Sequence, residues 1–192
     1  MSKAIWQMFP GAVNDKTCDA IITEGEYYQA SDAIIGDNNK SKVNKDYRES
    51  EVRWIDRNDA NSRFIADLIY YYTMEANRNA FNVDANYLQD IQYTKYFGHN
   101  KGHYNWHHDT FWAGPTTAYD RKLSFTLQLS HPNEYEGGDF KFGDGHEQPD
   151  PEQLKQRGTV LVFLSPIQHM VEPVTFGERK SLVAWVEGPK WR

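Results

Sequence analysis

The chemistry that this sequence could support depends on three residues with metal-binding side chains, His107, Asp109 and His169. In an extended strand, residues i and i+2 point to the same face, so His107 and Asp109 can bind one ion together, whereas His108 points the other way. His169 can supply a second imidazole from another strand. Two histidines and one carboxylate on one side of a metal are the ligand set of non-haem iron(II) oxygenases. The spacing therefore favours an enzyme.

A helical arrangement of histidines is the alternative to this strand-based site. His99, His103 and His107 recur every four residues, which would place them on one face of a helix. Gly98 and Gly102 lie inside that window and disfavour a stable helix, so the strand is preferred. A His-x-Asp pair occurs often by chance, and a single histidine is more often a hydrogen-bonded structural residue than a ligand. The spacing alone therefore leaves the metal site as a hypothesis.

The pattern of the chain indicates which elements position these ligands. Asn14 precedes apolar residues at helical spacing, which predicts a capped helix over 15–25, and a stronger amphipathic pattern predicts a second helix over 60–79. The polar residues 29–50 predict a loop. Strands are predicted over 48–56, 88–97, 103–109, 121–130, 138–142, 158–164, 168–174 and 180–187, and residues 143–156 form a polar connection. Helices followed by many short strands predict an α+β chain with one β-core, either a sandwich or a barrel.

Composition restricts the class of protein. A length of 192 residues suits one domain, and the net charge of −6 argues against a nucleic-acid backbone as the main partner. Cys18 is the single cysteine, which rules out an internal disulfide framework and suits a reducing compartment. The sequence has neither an apolar run long enough to span a membrane nor a secretory signal. We therefore expect a cytoplasmic protein with no membrane partner.

Residues 163–185 contain a motif around His169 that resembles a known family. They read FLSPIQHMVEPVTFGERKSLVAW. This segment resembles the distal motif of 2-oxoglutarate/Fe(II)-dependent dioxygenases of the prolyl 4-hydroxylase-like family. The matching residues are His169, Val171, Pro173, Val174, Gly177, Arg179, Ser181 and Trp185. Tyr96, Gly102 and Tyr104 before His107-x-Asp109 resemble the proximal motif, and residues 123–142 resemble the family's hairpin ending in Gly-Gly-Asp/Glu.

The resemblance, which covers residues 88–188, implies a fold and a set of site residues. The implied fold is α+β but mainly β, with a double-stranded β-helix (jelly-roll) core and N-terminal helices packed on one sheet. We expect a single domain over 1–192, with a helical N-terminal part at 1–87 and the jelly roll at 88–188. The corresponding iron ligands are His107, Asp109 and His169. Arg179 corresponds to the residue that pairs with the distal carboxylate of 2-oxoglutarate, and Tyr96, Gln128 and Ser181 correspond to supporting co-substrate contacts.

The resemblance also implies a reaction. It predicts hydroxylation of an unactivated C–H bond with Fe(II), 2-oxoglutarate and O2, giving succinate and CO2, with ascorbate as a further cofactor of such enzymes. The expected substrate is a prolyl residue in a peptide or protein. A free amino acid or another small molecule stays open as the substrate, and a non-catalytic jelly-roll binding module stays open as an alternative function. A nucleic-acid substrate is disfavoured because Trp185 stands where such demethylases usually carry a second arginine. The sequence predicts no oligomeric state.

Overall fold

The computed structural model describes residues 4–33, 43–110 and 119–191, and within these ranges the chain forms twelve β-strands and three α-helices. The helices are α1 (Asp15–Tyr27), α2 (Arg63–Ala76) and α3 (Pro151–Lys155). The first six strands are β1 (Trp6–Phe9), β2 (Ser31–Asp32), β3 (Arg48–Glu49), β4 (Glu51–Ile55), β5 (Tyr87–Phe97) and β6 (His103–His107). The others are β7 (Tyr119–Gln128), β8 (Tyr135–Gly137), β9 (Phe140–Phe142), β10 (Val160–Leu164), β11 (His169–Val171) and β12 (Val174–Pro189).

The strands form two antiparallel sheets. The large sheet has the order β1-β10-β7-β12-β5-β4-β2, and β8 also pairs with β12. The small sheet has the order β3-β6-β11-β9. Neighbours in space are seldom neighbours along the chain, which is typical of a jelly roll. The predicted mainly β, jelly-roll fold is confirmed.

The two faces of the large sheet differ in character because successive side chains of a strand point to opposite sides. On β7, Leu123, Phe125 and Leu127 are fully buried in a core that includes Ile21 of α1 and Ile69 of α2. The alternate residues of β7 are polar and point toward the opposite face, which is the interior of the jelly roll. The helices therefore cover the apolar face, as predicted, and the polar face is left to build a site.

Both predicted N-terminal helices are present. α1 begins after Asn14, whose Oδ1 accepts a hydrogen bond from the backbone nitrogen of Thr17 at 2.9 Å, as an N-cap residue should. α2 is shorter than the predicted 60–79, because the helix widens into a π-helical turn over Asn77–Phe81 and ends at Asn82, which has a left-handed φ of 51°. No helix within the described ranges is long and apolar enough to cross a membrane.

Several predicted boundaries are wrong. The strand predicted over 48–56 divides at Ser50, where the chain leaves the small sheet as β3 and enters the large sheet as β4. The strand predicted over 138–142 begins only at Phe140, as β9, and β8 (Tyr135–Gly137) precedes it outside every predicted strand. The predicted loop 29–50 contains β2 and β3, and residues 34–42 lie outside the described part of the chain. The predicted strand 103–109 ends at His107.

Two further elements lie outside every predicted strand and helix. β1 pairs with β10 at the edge of the large sheet, so the part of the chain before residue 88 contributes strands as well as helices. α3 lies within the predicted polar connection 143–156. It begins with Pro151 and is capped by Asp150, whose Oδ1 accepts hydrogen bonds from the backbone nitrogens of Glu152 and Gln153.

Candidate metal centre

The two candidate histidine ligands meet across a pair of neighbouring strands. His107 is the last residue of β6 and His169 is the first residue of β11, and they are direct partners in the antiparallel register. Directly opposed residues of an antiparallel pair point to the same face. Asp109 follows the end of β6, where its backbone nitrogen donates to the carbonyl of Ser165 at 2.9 Å. His108 is exposed and takes no part, as predicted.

The three candidate ligand side chains converge in a buried space. His107 Nε2 lies 3.8 Å from Asp109 Oδ1, and His169 Nε2 lies 3.6 Å from Asp109 Oδ2. One ligand atom from each residue lies within 4.8 Å of the others, and all three residues are at most 8% exposed. Such a cluster of polar groups is costly to bury without partners, and a shared cation supplies one. The arrangement can hold a metal ion.

Local hydrogen bonds orient both imidazole rings. His107 Nδ1 lies 2.7 Å from the carbonyl of Asn105, and His169 Nδ1 lies 2.9 Å from the carbonyl of Ile167. Because a carbonyl oxygen only accepts, each Nδ1 must carry the hydrogen, and each Nε2 then keeps its lone pair. Both Nε2 atoms point toward Asp109. This is the tautomer that metal-binding histidines adopt through their outer hydrogen bonds.

The protonation states of His107 and Asp109 also suit a metal. Burial is the main cause that lowers the pKa of His107 to about 3, so its imidazole is neutral at neutral pH. Burial alone would raise the pKa of Asp109, but His169, His107 and Arg121 nearby lower it to about 2. A hydrogen bond from Ser124 Oγ to Asp109 Oδ2 at 2.6 Å contributes to this lowering. A neutral imidazole and an ionised carboxylate are the forms that bind metal.

Aromatic side chains enclose the two rings. The Tyr104 ring stacks on His107 with centroids 3.4 Å apart and an angle of 13° between the planes. His169 packs against Phe163 and Phe140, at centroid distances of 4.6 Å and 5.4 Å. These contacts hold the rings in place and exclude water from one side of the centre. Neutral nitrogen and ionised oxygen donors in such a setting fit Fe(II).

A small cavity is lined by the candidate co-substrate residue Arg179. Its lining comprises Gln128, Tyr135, Gly138, Asp139, Phe140, Pro151, Leu154, Lys155 and Arg179. Arg179 is only 6% exposed, yet within the described residues its guanidinium makes no hydrogen bond or ion pair. A buried, unpaired charge is strongly unfavourable. The site therefore suits a ligand carboxylate, which guanidinium binds through two parallel hydrogen bonds.

The other predicted co-substrate residues lie around Arg179. Tyr96 is the cross-strand partner of Arg179 between β5 and β12, and the guanidinium carbon lies 5.7 Å from the centroid of its ring. Ser181 is the cross-strand partner of Gln128 and is 2% exposed, although it does not line the cavity. Gln128 lines the cavity, and its Nε2 donates to the hydroxyl of Tyr135 at 3.1 Å.

Three residues of the site were missed by sequence reasoning. Tyr135 brings an aromatic hydroxyl into the cavity from β8, Ser124 donates to the candidate ligand Asp109, and Gly138 contacts the stem of Arg179. The alternation of polar residues along β7 was a usable signal for Ser124. No sequence pattern indicated Tyr135, because its position depends on how β8 pairs with β12.

Several known proteins are similar to this chain. A PKHD-type hydroxylase of Maricaulis maris is 46% identical over 66 residues, which cover 33% of this chain and 28% of that protein. The chain thus covers less than two thirds of the length of the curated relatives that it matches. For a PKHD-type hydroxylase of Crocosphaera subtropica, the match covers 43% of that protein's length. A Pseudomonas putida prolyl-4-hydroxylase has the same fold, with a TM-score of 0.71 and 19% identity over 97% of this chain and 94% of that one.

A second solved structure is similar over most of its length. It is a Trichoplax adhaerens prolyl hydroxylase in complex with a peptide of hypoxia inducible factor, with a TM-score of 0.72 and 14% identity over 95% of this chain and 83% of that one. At such identities the likeness concerns the fold. The family model for the 2OG-Fe(II) oxygenase superfamily matches residues 91–187, just over half of the chain, and includes all three candidate ligands. The chain therefore belongs to the 2OG-Fe(II) oxygenase superfamily, whose members use Fe(II), 2-oxoglutarate and O2.

Proposed function

We propose that this protein is an Fe(II)- and 2-oxoglutarate-dependent dioxygenase that hydroxylates an unactivated C–H bond and releases succinate and CO2. The observation that supports this most directly is the presence of two complementary candidate binding sites in one jelly roll. His107, Asp109 and His169 bring three metal-ligand atoms within 4.8 Å of one another, and the buried guanidinium of Arg179 forms no ion pair within the described residues. A metal ion together with a dicarboxylate that spans the two sites would complete both.

Each residue has a defined part in this proposal. His107, Asp109 and His169 would hold Fe(II) on one side and leave the other side for co-substrate and O2. The bound iron would supply the oxidation chemistry, while the protein would position the reactants and exclude water. Arg179 would bind the distal carboxylate of 2-oxoglutarate, and Gln128 with Tyr135 would line its path. Ser124 would keep the carboxylate of Asp109 turned toward the metal.

We further propose that the substrate is a prolyl residue of a peptide or protein. Trp185 is 6% exposed, its indole nitrogen has no acceptor among the described residues, and its register partner on β7 is Ser124, beside the metal centre. Trp54 is 43% exposed, with its ring centroid 6.4 Å from that of Trp185. The exposed aromatic surface of Trp54 suits extended, proline-containing peptides. The relatives named as prolyl hydroxylases support the same choice.

The Arg179→Leu substitution tests the co-substrate assignment. Removing one partner of a buried charge pair costs about 2–5 kcal/mol, so the KM for 2-oxoglutarate should rise at least tenfold. Succinate formation measured at increasing 2-oxoglutarate with excess Fe(II) gives this value. Arg78→Leu is the matched control, because Arg78 is exposed and its ion pair within the described residues is with Glu75 on α2. An unchanged KM in Arg179→Leu would refute the assignment.

A substrate screen tests the proposed reaction. Succinate production is measured with Fe(II), 2-oxoglutarate and O2 in the presence of proline-containing peptides, free amino acids or nucleotides. Stimulation by the peptides, with hydroxyproline found by mass spectrometry, is the expected result. Stimulation by free amino acids alone would exclude a peptidyl substrate. A protein that binds neither Fe(II) nor 2-oxoglutarate would instead be a binding module.

A further inference from the structure

The orientation of Arg179 depends on packing rather than on hydrogen bonds. Its guanidinium has no polar partner within the described residues, so its neighbours must hold the long side chain in place. One neighbour is the ring of Tyr96. The other is Gly138, where an added Cβ would lie 2.9 Å from Arg179 Cδ. The backbone at Gly138 therefore lies directly against the stem of Arg179.

The turn that contains Gly138 is anchored on its backbone side. Gly138 has a φ of +64°, which glycine adopts without strain. Its nitrogen donates to the carbonyl of Pro173 at 3.1 Å, and the carbonyl of Asp139 accepts from the nitrogen of Glu172 at 2.8 Å. These bonds hold the turn to the segment between β11 and β12. They leave the side chain of Asp139 available for a contact on the other side.

That contact is an ion pair with α3. Asp139 Oδ1 lies 2.5 Å from Lys155 Nζ, and both residues line the cavity around Arg179. α3 itself is held at its start by the Asp150 cap and packs Leu154 into the apolar cluster of Phe142 and its neighbours. The ion pair thus connects the turn beside Arg179 to an anchored helix across the cavity.

The charges around the cavity are consistent with one bound carboxylate. The charged residues that line it are Arg179, Lys155 and Asp139. Asp139 and Lys155 neutralise each other, which leaves the charge of Arg179 for a ligand. A cation held by its own partner does not compete for the ligand. The ion-paired Lys155 then forms part of the cavity wall and does not bind the ligand.

We propose that Asp139 and Lys155 are positioning residues, whose ion pair holds the Gly138 turn against Arg179 and so makes the site select a dicarboxylic 2-oxo acid over a monocarboxylic one. This inference rests on the proposed function, because it concerns the same co-substrate. Within the described residues, the side chains of Asp139 and Lys155 pair with each other and not with a candidate metal ligand. Their role is to keep the guanidinium at one distance from the metal centre.

Binding titrations with two 2-oxo acids test the proposal. Calorimetry on the manganese(II)-loaded protein compares 2-oxoglutarate with 2-oxovalerate, which has the same chain length but no distal carboxylate. Lys155→Gln and Asp139→Asn should each weaken the binding of 2-oxoglutarate about fivefold, as expected for a partly exposed ion pair. Neither substitution should change the binding of 2-oxovalerate. The double variant should bind 2-oxoglutarate as weakly as each single variant, because the two side chains act as one unit.

Lys141→Gln provides the matched control. Lys141 on β9 forms an equally short ion pair with Glu172, 2.5 Å between Nζ and Oε1, but it does not line the cavity. This variant should bind both acids as the wild type does. Equal weakening of both acids in Lys155→Gln would indicate general loosening and overturn the proposal, as would unchanged 2-oxoglutarate binding. A wild type that binds no 2-oxoglutarate at all would refute the proposed function itself.

Discussion

The three candidate ligands are oriented by different kinds of partner. Each histidine uses the backbone carbonyl two residues before it, at Asn105 and Ile167, so its orientation depends on local chain geometry. Asp109 depends instead on a hydroxyl from another strand, that of Ser124. The candidate ligands were therefore predicted from their spacing together with the motif around His169. The alternation along β7 marked Ser124 as an interior polar residue, but its pairing with Asp109 depends on the packing of β7 beside the end of β6.

Ser124→Ala should weaken metal binding. The substitution removes the hydrogen bond to Asp109 Oδ2 and frees the carboxylate to rotate away from the two Nε2 atoms. Loss of such an outer partner typically costs about 10–100-fold in metal affinity. Titration of the metal-free protein with Mn(II) or Fe(II) under anaerobic conditions measures the change.

Ser130→Ala is the control for this substitution. Ser130 is equally buried just beyond β7, but its hydroxyl donates to the backbone carbonyl of Glu178 rather than to a candidate ligand. Its loss should affect stability and leave metal affinity within about twofold. Equal metal affinity in Ser124→Ala and the wild type would show that Asp109 needs no hydroxyl partner.

Elements with long, regular patterns were predicted, and several of the short elements were not. β5 and β12 run for many residues with alternating side chains, and α2 has a clear apolar stripe. β1 and α3 have four and five residues, too few for a period to stand out. The division between β3 and β4 at Ser50 reflects which sheet each half joins. This division depends on the tertiary structure and leaves no local signal in the sequence.

Gly138→Ala should weaken co-substrate binding through the turn between β8 and β9. The new Cβ would lie 2.9 Å from both Arg179 Cδ and Val174 Cγ2, at a φ of +64°. The backbone strain should destabilise the fold by about 1–3 kcal/mol, and the displaced arginine should raise the Kd for 2-oxoglutarate. Thermal unfolding and calorimetric titration measure the two effects separately.

Gly145→Ala separates strain from contact. Gly145 also has a positive φ, +88°, but nothing lies within 4 Å of an added Cβ there. It should lose similar stability and keep the wild-type affinity for 2-oxoglutarate. If both alanine variants lose affinity to the same extent, the contact between Gly138 and Arg179 is not what positions the guanidinium.

At the scale of the whole molecule, the described part of the chain before residue 88 packs against the jelly roll. Its helices cover the apolar face of the large sheet, β1 and β4 extend that sheet, and β3 adds a strand to the small one. β3 also brings Arg48 to the ring of Tyr104, with the guanidinium carbon 4.3 Å from the ring centroid, and Tyr104 stacks on His107. The single domain over 1–192 stays a prediction, and this shared packing supports it.

Unfolding should therefore occur in one transition. A destabilising substitution in α2 should shift the midpoint of that whole transition. Ile69 is fully buried in the core that α2 shares with β7 and β12, so Ile69→Ala should cost about 2–5 kcal/mol in unfolding free energy. Tyr70→Ala, next to it but 45% exposed, should change this free energy much less. Denaturant unfolding is followed by far-ultraviolet circular dichroism, which reports helices and strands, and by tryptophan fluorescence, which includes Trp185 inside the jelly roll. A shared core should unfold as one unit, so both probes should show the same shifted midpoint in Ile69→Ala. If only part of the circular dichroism signal shifted and the fluorescence midpoint stayed unchanged, the helices would form a separate unit.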